Sequence, residues 1–373
     1  MPWKELTVMS QRKDFIYLAK QGNVSFSELC RRFEISRPTG YKWLEREMNG
    51  EPLHDRSRKP QSSPRKTSQS VENIILSMRT KHPAWGGRKI YHRLMKLGFE
   101  NLPQPSTITD ILRRNGLINP DESLKHKAFQ RYEMEFPNQL WQMDFKGYIG
   151  LPAGGYCHPL TVVDDHSRFL VGLEACADQR KETVQGRLTH IFRQYGLPDR
   201  MLMDNGSPWG DSGESRHTVF TAWLIRLGIQ VSHGRPYHPQ TQGKDERINR
   251  TLKDELLSRK ILDNLGVCQI EFDNWRNIYN YERPHESLNM ETPSCRYSVS
   301  TRTFPEQLPP IVYDMDFIVR KVDAAGRIYF HNRDFRISKA FRHTPVGLKP
   351  TEVDGTFDVY FCNQVVAQIN LNV

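Results

Sequence analysis

Three acids stand in settings unlike that of an ordinary surface carboxylate. Asp144 interrupts an apolar run, Trp141-Gln142-Met143-Asp144-Phe145; Asp204 ends another, Met203-Asp204-Asn205-Gly206; Glu246 lies in Gly243-Lys244-Asp245-Glu246-Arg247. Hard oxygen ligands without an EF-hand loop or a His/Cys cage suit Mg2+ or Mn2+, which share their shell with water and substrate phosphate. In a two-metal site the ions sit roughly 3.5–4 Å apart, one activating the attacking oxygen of a phosphodiester displacement and the other stabilising the leaving oxygen. A surface ion pair or a turn is the ordinary alternative for each acid taken singly. Asp164, Asp165 and Asp245 compete for the role. The first two fall at a strand end, where they can hold a turn. Asp245 points about 100° away from Glu246 on a helix, so only one of that pair faces a common site.

The elements that would position these acids alternate in type. Residues 140–148, 160–165 and 169–174 read as consecutive strands, with turns at 150–155 and 166–168. A helix over 182–195, a strand over 201–204, a helix over 219–227, a strand over 229–233 and a helix from 243 through 257 follow. That order predicts an α/β domain with a five-stranded mixed sheet. Asp204 then falls at the carboxyl end of its strand, where open α/β sheets place their sites. Asp144 faces away from Met143 and Phe145 if both pack inward, and a carboxylate there is costly unless paired, solvated or metal-bound. On the last helix Glu246, Arg250 and Lys253 stand at i, i+4 and i+7 and share a face. A solvated helix face is the alternative.

The chain of 373 residues carries a formal charge of +10, and the surplus is localised. Residues 1–120 hold 22 basic and 11 acidic side chains, 121–300 hold 22 and 24, and 301–373 hold 9 and 8. A local basic excess is the footprint of a polyanion partner, with a merely soluble basic surface as the alternative. Within it, a helix near 10–22, a capping-box start at Ser25-Phe26-Ser27-Glu28 and a third helix capped by Ser36 form a helix-turn-helix pattern. Its last helix would bring Arg37, Tyr41, Lys42 and Arg46 to the major groove; a plain three-helix bundle is the alternative. Residues 50–69, with three prolines, four serines and five basic groups, read as a linker. A second helix-turn-helix unit follows, with Arg88 and Lys89 in Trp85-Gly86-Gly87-Arg88-Lys89 and a last helix opened by Ser106 and ended by Gly116. Two such units on a flexible linker would read a longer DNA site than either alone.

The six cysteines show no C-x-x-C pair, which argues against a zinc knuckle or a disulfide framework. No signal-peptide pattern and no apolar run of about 18 residues is present, so a cytoplasmic chain without membrane contact is expected. Residues 268–281 read as helical. Short strands at 317–322, 327–330, 335–337, 357–361 and 365–369 predict a small β-barrel or sandwich.

The segment His238-Pro239-Gln240-Thr241-Gln242-Gly243-Lys244-Asp245-Glu246-Arg247-Ile248-Asn249-Arg250-Thr251-Leu252-Lys253, with Asp144-Phe145 and Asp204-Asn205-Gly206, resembles the DDE integrase/transposase family of bacterial insertion sequences, whose core is similar to that of retroviral integrases. Also matching are Val163-Asp164-Asp165-His166-Ser167-Arg168, Asn280-Tyr281-Glu282-Arg283-Pro284-His285-Glu286-Ser287-Leu288, Trp85-Gly86-Gly87-Arg88 and Val346-Gly347-Leu348-Lys349-Pro350. The resemblance implies an RNase H-like core binding two Mg2+ (or Mn2+) ions through Asp144, Asp204 and Glu246, the family motif selecting Glu246 over Asp245. It implies water attack at the element's end, attack of the freed 3′-OH on target DNA, and a homo-oligomer on paired DNA ends. Arg250 and Lys253 match positions that carry basic residues near the donor DNA end. Lys244, His238 and Gln240 are further candidates for DNA contact, or belong to a loop that caps the helix. Two features depart from the family. The 41 residues between Asp204 and Glu246 exceed its commonest spacing, with the excess in 207–216, and no His/Cys zinc module precedes the core.

The expected organisation is multidomain: all-α helix-turn-helix units at 1–49 and 70–118 joined by the linker, an α/β RNase H-like core at 138–262, a helical extension at 263–303 and a small β-barrel at 304–373. Its expected function is terminal-repeat binding, Mg-dependent cleavage and strand transfer. A catalytically inactive DNA-binding regulator and a metal-dependent nuclease without strand transfer are the alternatives.

Overall fold

Side-chain caps set the helix starts of the first part of the chain. Thr7, Ser25 and Ser36 each accept a backbone N–H of the first turn of α1 (Val8–Gln21), α2 (Phe26–Arg32) and α3 (Arg37–Met48). The capping box expected at α2 is half made: Ser25 caps Glu28, while the Glu28 carboxylate pairs with Arg31 and Arg32. Phe15, Ile16, Leu29, Cys30 and Trp43 form the core of the three helices. Gly40 lets them close, since a Cβ there would lie 2.9 Å from Cys30 Sγ, Phe15 Cζ and Phe26 Cζ.

The computed structural model describes residues 7–57, 66–118, 133–210, 217–234 and 243–372, with the side chain of Asp245 outside that set. The chain divides into two compact units, Met1–Lys66 and Thr67–Val373. The sequence marks 50–69 as linker throughout, but residues 51–55 belong to the first unit. Leu53 packs on its core, and Arg12 and Arg46 hold the carbonyls of Leu53 and His54 at 2.8 and 3.1 Å.

In the second unit α4 (Gln69–Lys81), α5 (Gly87–Lys96) and α6 (Pro105–Arg114) enclose Ile75, Trp85, Ile90, Leu94, Ile108, Ile111 and Leu112. α6 starts at Pro105 after Gln104 and not at Ser106, proline being pre-organised for the first helical position. A Cβ on Gly87 would lie 2.5 Å from the Pro105 carbonyl oxygen, so glycine sets the approach of α5 to α6.

The mixed sheet runs β4-β3-β1-β5-β6, from β1 (Trp141–Phe145), β3 (Tyr156–Asp164), β4 (Leu170–Cys176), β5 (Arg200–Met203) and β6 (Gln230–His233). A sixth, two-residue strand, β2 (Ile149–Gly150), pairs with the start of β3. β3 is antiparallel to β1 and β4, whereas β5 is parallel to β1 and β6, as helical crossovers require. α7 (Lys181–Tyr195) and α8 (Val219–Arg226) cover the face that carries Trp141, Met143, Leu160 and Val162. α9 (Gly243–Leu252), continued by a π-helical turn at Lys253–Leu257, packs with α10 (Leu265–Asn277) over Val163, Leu170, Leu173 and Ala175.

Both edges of this sheet are closed by a side-chain amide. Asn280 donates to the Leu170 carbonyl (3.0 Å) and accepts the Leu170 N–H (2.8 Å) on β4. Gln364 does the same to Val231 on β6, at 3.0 and 2.9 Å. Each amide mimics the next strand and removes an unpaired edge that would otherwise be open to another chain.

The C-terminal strands pair as antiparallel sheets, and among the described residues their pairing does not close the expected barrel. β7 (Ile318–Lys321), β10 (Pro345–Pro350), β11 (Thr356–Phe361) and β12 (Gln364–Asn370) make an antiparallel sheet of order β12-β11-β10-β7, beside a hairpin of β8 (Arg327–Phe330) and β9 (Arg333–Arg336). Among the described residues no pairing joins β12 to β7, so the sheet stays open. β10 escapes sequence reading because a proline stands at each end, where ladder donors are not needed. No described helix is long and apolar enough to cross a membrane.

Candidate active site

Asp144 sits on β1 at the centre of the sheet. The pleat turns it away from Met143 and Phe145, which pack on the α7 side, and toward α9. There Asn249 donates its side-chain N–H to Asp144 Oδ2 at 3.0 Å, while Asn249 Oδ1 is buried without a partner among the described residues. Burial, then the charge of Asp204, pushes the Asp144 carboxyl up to about 6, with Glu246 adding to the rise and Asn249 opposing it.

Asp204 follows β5 at its carboxyl end. Its backbone carbonyl accepts from His233 Nδ1 at 2.9 Å, and Asn205 reaches the Gly234 carbonyl at 3.0 Å, so β6 pins the turn. Both recorded donors to its side chain fall on Oδ1: the Gly206 N–H at 2.9 Å and the indole N–H of buried Trp209. Among the described residues no donor reaches Oδ2. Trp209 in turn stacks on Phe145, the neighbour of Asp144, with ring centroids 5.3 Å apart.

Glu246 lies exposed on α9, and its charge adds less than that of Asp204 to the rise at Asp144. Among the described residues no three His, Cys, Asp or Glu side chains group closely enough to hold a metal ion. The structure therefore brings Asp144 and Asp204 within electrostatic reach and leaves Glu246 exposed beside them. Two partly buried carboxylates in electrostatic reach of each other, one with an oxygen that no described residue donates to, are a donor set that fits a divalent cation.

Arg250 and Lys253 are exposed on the helical face of Glu246, with Arg250 only 3.9 Å from Asp254 across one turn. Lys146, two residues past Asp144, is an unforeseen addition: burial, then the charge of Lys253, lowers its pKa, with Asp254 and Asp144 opposing. Asn249 and Trp209 also escape sequence reading. For Trp209 the signal was present, since a buried indole N–H needs an acceptor and an acid stands five residues earlier.

The competing acids have other work. Asp164 accepts the Asn138 and Ser167 N–H groups at 2.7 and 2.8 Å and closes the turn after β3. Asp165 accepts from Gln142 (2.6 Å) and the Met134 N–H (2.8 Å), and pairs with Lys244. Lys244 is thereby turned inward, its side chain 14% exposed and its pKa lowered by burial to about 8. His238, Gln240 and residues 211–216 of the long spacer lie outside the described residues.

In α3, Arg37, Tyr41 and Lys42 are exposed on one stretch, Tyr41 stacking on Phe26 at 4.3 Å. Arg46 is not on that face: it is buried, lies 4.8 Å over the Trp43 ring and donates to the His54 carbonyl. In α5, Arg88 is exposed and 3.6 Å from Glu286. Lys89 is turned toward the 280–288 segment, where burial, then Arg283, lowers its pKa to about 8. An ammonium in that setting is spent on intramolecular packing.

Comparison with known proteins accords with this architecture. Residues 135–239 and 227–293 each match an Integrase core domain family, 317–373 match the IS481 family transposase C-terminal domain, and 11–61 and 39–112 match a helix-turn-helix and a homeodomain-like domain. The chain is 24% identical over 243 residues to an insertion element IS476 uncharacterized 39.2 kDa protein of Xanthomonas euvesicatoria, covering 64% of this chain and 68% of that protein. It is 30% identical over 150 residues to the Pro-Pol polyprotein of Simian foamy virus type 1, covering 38% of this chain but 12% of the polyprotein. Among solved structures, a simian T-cell lymphotropic virus intasome in complex with a PP2A regulatory subunit is similar over 79% of this chain and 96% of that one, at 15% identity and TM-score 0.38. The HTLV-2 integrase catalytic core domain in complex with magnesium is similar over 43% of this chain and 97% of that one, at 16% identity and TM-score 0.34. The integrase core, transposase C-terminal and helix-turn-helix matches taken together support the DDE insertion-sequence transposase family for this chain.

Proposed function

We propose that this protein is an insertion-sequence DNA transposase, a polynucleotidyl transferase that binds the terminal repeats of its element, cleaves at the 3′ ends and joins them to target DNA. The observation that carries the reading is the juxtaposition of Asp144 and Asp204, two partly buried carboxylates to which, among the described residues, no cationic side chain is bonded. Asp144, Asp204 and Glu246 hold Mg2+ or Mn2+, two ions, which when bound supply charge stabilisation and an activated attacking oxygen. The remaining work belongs to the chain. Asn249 fixes the rotamer of Asp144, and Trp209 and the Gly206 N–H fix that of Asp204. Arg250, Lys253 and Lys146 hold phosphates of the donor end, while Arg37, Tyr41 and Lys42 meet DNA from α3. The helix-turn-helix units at 1–49 and 70–118, the core at 138–262, and assembly as a homo-oligomer on paired ends in the cytoplasm complete the proposal.

A cleavage and strand-transfer assay with Mg2+ and DNA carrying the element's ends tests it. Cleaved and joined products are expected. Binding without cleavage makes the protein a regulator, and cleavage without joining makes it a nuclease.

Trp209→Phe isolates one orienting contact, because phenylalanine keeps the stack on Phe145 and loses only the N–H to Asp204. Losing an outer partner of a metal ligand costs 10–100-fold in metal affinity or activity. We expect the Mg2+ concentration for half-maximal cleavage to rise about tenfold with the melting temperature little changed. An unchanged Mg2+ requirement would assign Trp209 to packing alone.

A further inference from the structure

Of the helices at 70–118, one is turned to the core and another is left free. α5 spends its basic side chains on the segment that follows α10. Arg93 lies 2.8 Å from Glu282, with side chains 15% and 32% exposed. Lys96 Nζ donates to the hydroxyl of buried Thr292 at 3.2 Å, Arg88 stands 3.6 Å from Glu286, and Lys89 is partly buried near Arg283. Ile278, at the end of α10, packs on the apolar cluster that holds Ile75, Trp85 and Ile90. α6 is the opposite case. Ile108, Ile111 and Leu112 face that cluster, while Ser106, Thr107, Asp110 and Arg113 are exposed along the helix. The later helix of a helix-turn-helix enters the major groove, so the helix suited to DNA is the one that the core leaves uncovered.

Domains that share only a linker move independently. Here charged contacts, which fix register more than they add adhesion, seat α5 on residues 278–295. That segment is itself built into the core. Asn280 closes the β4 edge, and Arg283 pairs with Glu255 on the turn that continues α9. Glu282 and Arg283 are neighbours in the chain, so one backbone step separates the tie to α5 from the tie to the helix of Glu246. A continuous line of contacts therefore runs from α5 to α9.

We propose that Arg93 and Lys96 are specificity-determining residues for cleavage: by seating α5 on 278–295 they hold α6 at a set distance from the Asp144–Asp204 site. They thereby select which phosphodiester, counted from the base pairs that α6 reads, is cut. The inference rests on the transposase reading and adds a ruler to it. Successive nucleotides of one strand are about 3.4 Å apart along the duplex axis, so a displacement of α5 by the length of one such contact moves the cut by one nucleotide.

The test maps cut positions at nucleotide resolution, using the full chain, Mg2+ and DNA that carries the element's ends. The wild type is expected to cut one bond at each end. A short insertion between the sequence bound by residues 70–118 and that bond should leave the interval unchanged, so that the cut moves inward by the length inserted. Arg93→Glu, which sets like charges against each other at Glu282, should spread the cuts over neighbouring bonds until the principal one loses its majority, with DNA affinity retained. Arg93→Glu/Glu282→Arg remakes the pair with its signs exchanged and should return the single cut. Lys96→Met should spread the cuts in the same way and to a smaller extent. Should Arg93→Glu melt early or cut nothing, Arg93→Gln removes the pair without adding repulsion and carries the same expectation. A single unshifted cut by the Arg93 variant at whatever rate, no return in the exchanged pair, or a cut that stays at the element's end after the insertion would each overturn the ruler and leave the transposase reading standing. DNA bound but never cut by the wild type would overturn both.

Discussion

Asp144→Asn is expected to abolish cleavage and, in the absence of metal, to make the protein more stable. On the proposed function, loss of activity follows from removing a ligand oxygen charge at the centre of the site. Outer-sphere changes alone cost 10–100-fold, so a fall of at least about a hundredfold is expected, with DNA binding retained. The stability gain follows from the titration. Burial and the neighbouring Asp204 raise the folded-state carboxyl from the ordinary 3.8 to about 6. A group that binds its proton more tightly when folded contributes most below its unfolded pKa. Between pH about 4 and 6 that contribution is lost as pH rises, and above 6 the ionised carboxylate is a standing penalty on the order of 2 kcal/mol. Asparagine keeps the shape and the partner Asn249 without the charge. In EDTA the variant should melt above the wild type at pH 7.5 and level with it near pH 4. Mg2+ should narrow the gap at neutral pH by binding only the folded wild type. Equal melting in EDTA at both pH values would mean that burial and Asp204 together do not penalise the Asp144 charge, and undiminished cleavage would remove Asp144 from the reaction.

The second large effect lies away from the proposed metal ligands, in the segment 280–288. Arg283 Nε donates to Glu255 Oε1 at 2.9 Å, with side chains 11% and 10% exposed, and Glu255 Oε2 accepts the Trp275 indole N–H at 3.1 Å. Glu255 belongs to the π-helical turn that continues α9, so this pair ties the helix carrying Glu246 to the end of α10. Arg283→Met leaves a buried carboxylate without its cation, a change that costs about 3–5 kcal/mol. At a few degrees per kcal/mol, the melting temperature of the larger unit should fall by on the order of 10 °C. Glu255→Gln on the same background removes the stranded charge, keeps an acceptor for Trp275 and should restore most of the loss. A melt of Arg283→Met within a degree of the wild type, or no recovery in the double variant, would show that the pair is not the tie described.

These contacts give physical meaning to motifs by which the chain resembles the DDE integrase/transposase family. Val163-Asp164-Asp165-His166-Ser167-Arg168 closes the turn after β3 and anchors Lys244, and Asn280 and Arg283 close the β4 edge and brace α9. Neither segment touches the site directly, and both fix the elements that do.

What the sequence by itself determined is local. Ser25 and Ser36 cap because their hydroxyls reach the N–H groups three residues on, Asp204 ends a strand because Asn205-Gly206 turns, and Asp144 opposes Met143 and Phe145 because a pleat has period two. The basic residues were legible as a surplus and not as individuals. Arg46, Lys89 and Lys244 look like Arg37, Lys42 and Lys253 in the sequence, yet the His54 carbonyl holds Arg46, Asp165 holds Lys244, and burial sets Lys89 apart. Asn249 on Asp144, the amides of Asn280 and Gln364 on the sheet edges, and the open C-terminal sheet are likewise visible only in three dimensions. The reason is the range of the interactions: caps, turns and pleats act over two to four residues, whereas the desolvation of a charge and the choice of its partner depend on which distant segment packs against it.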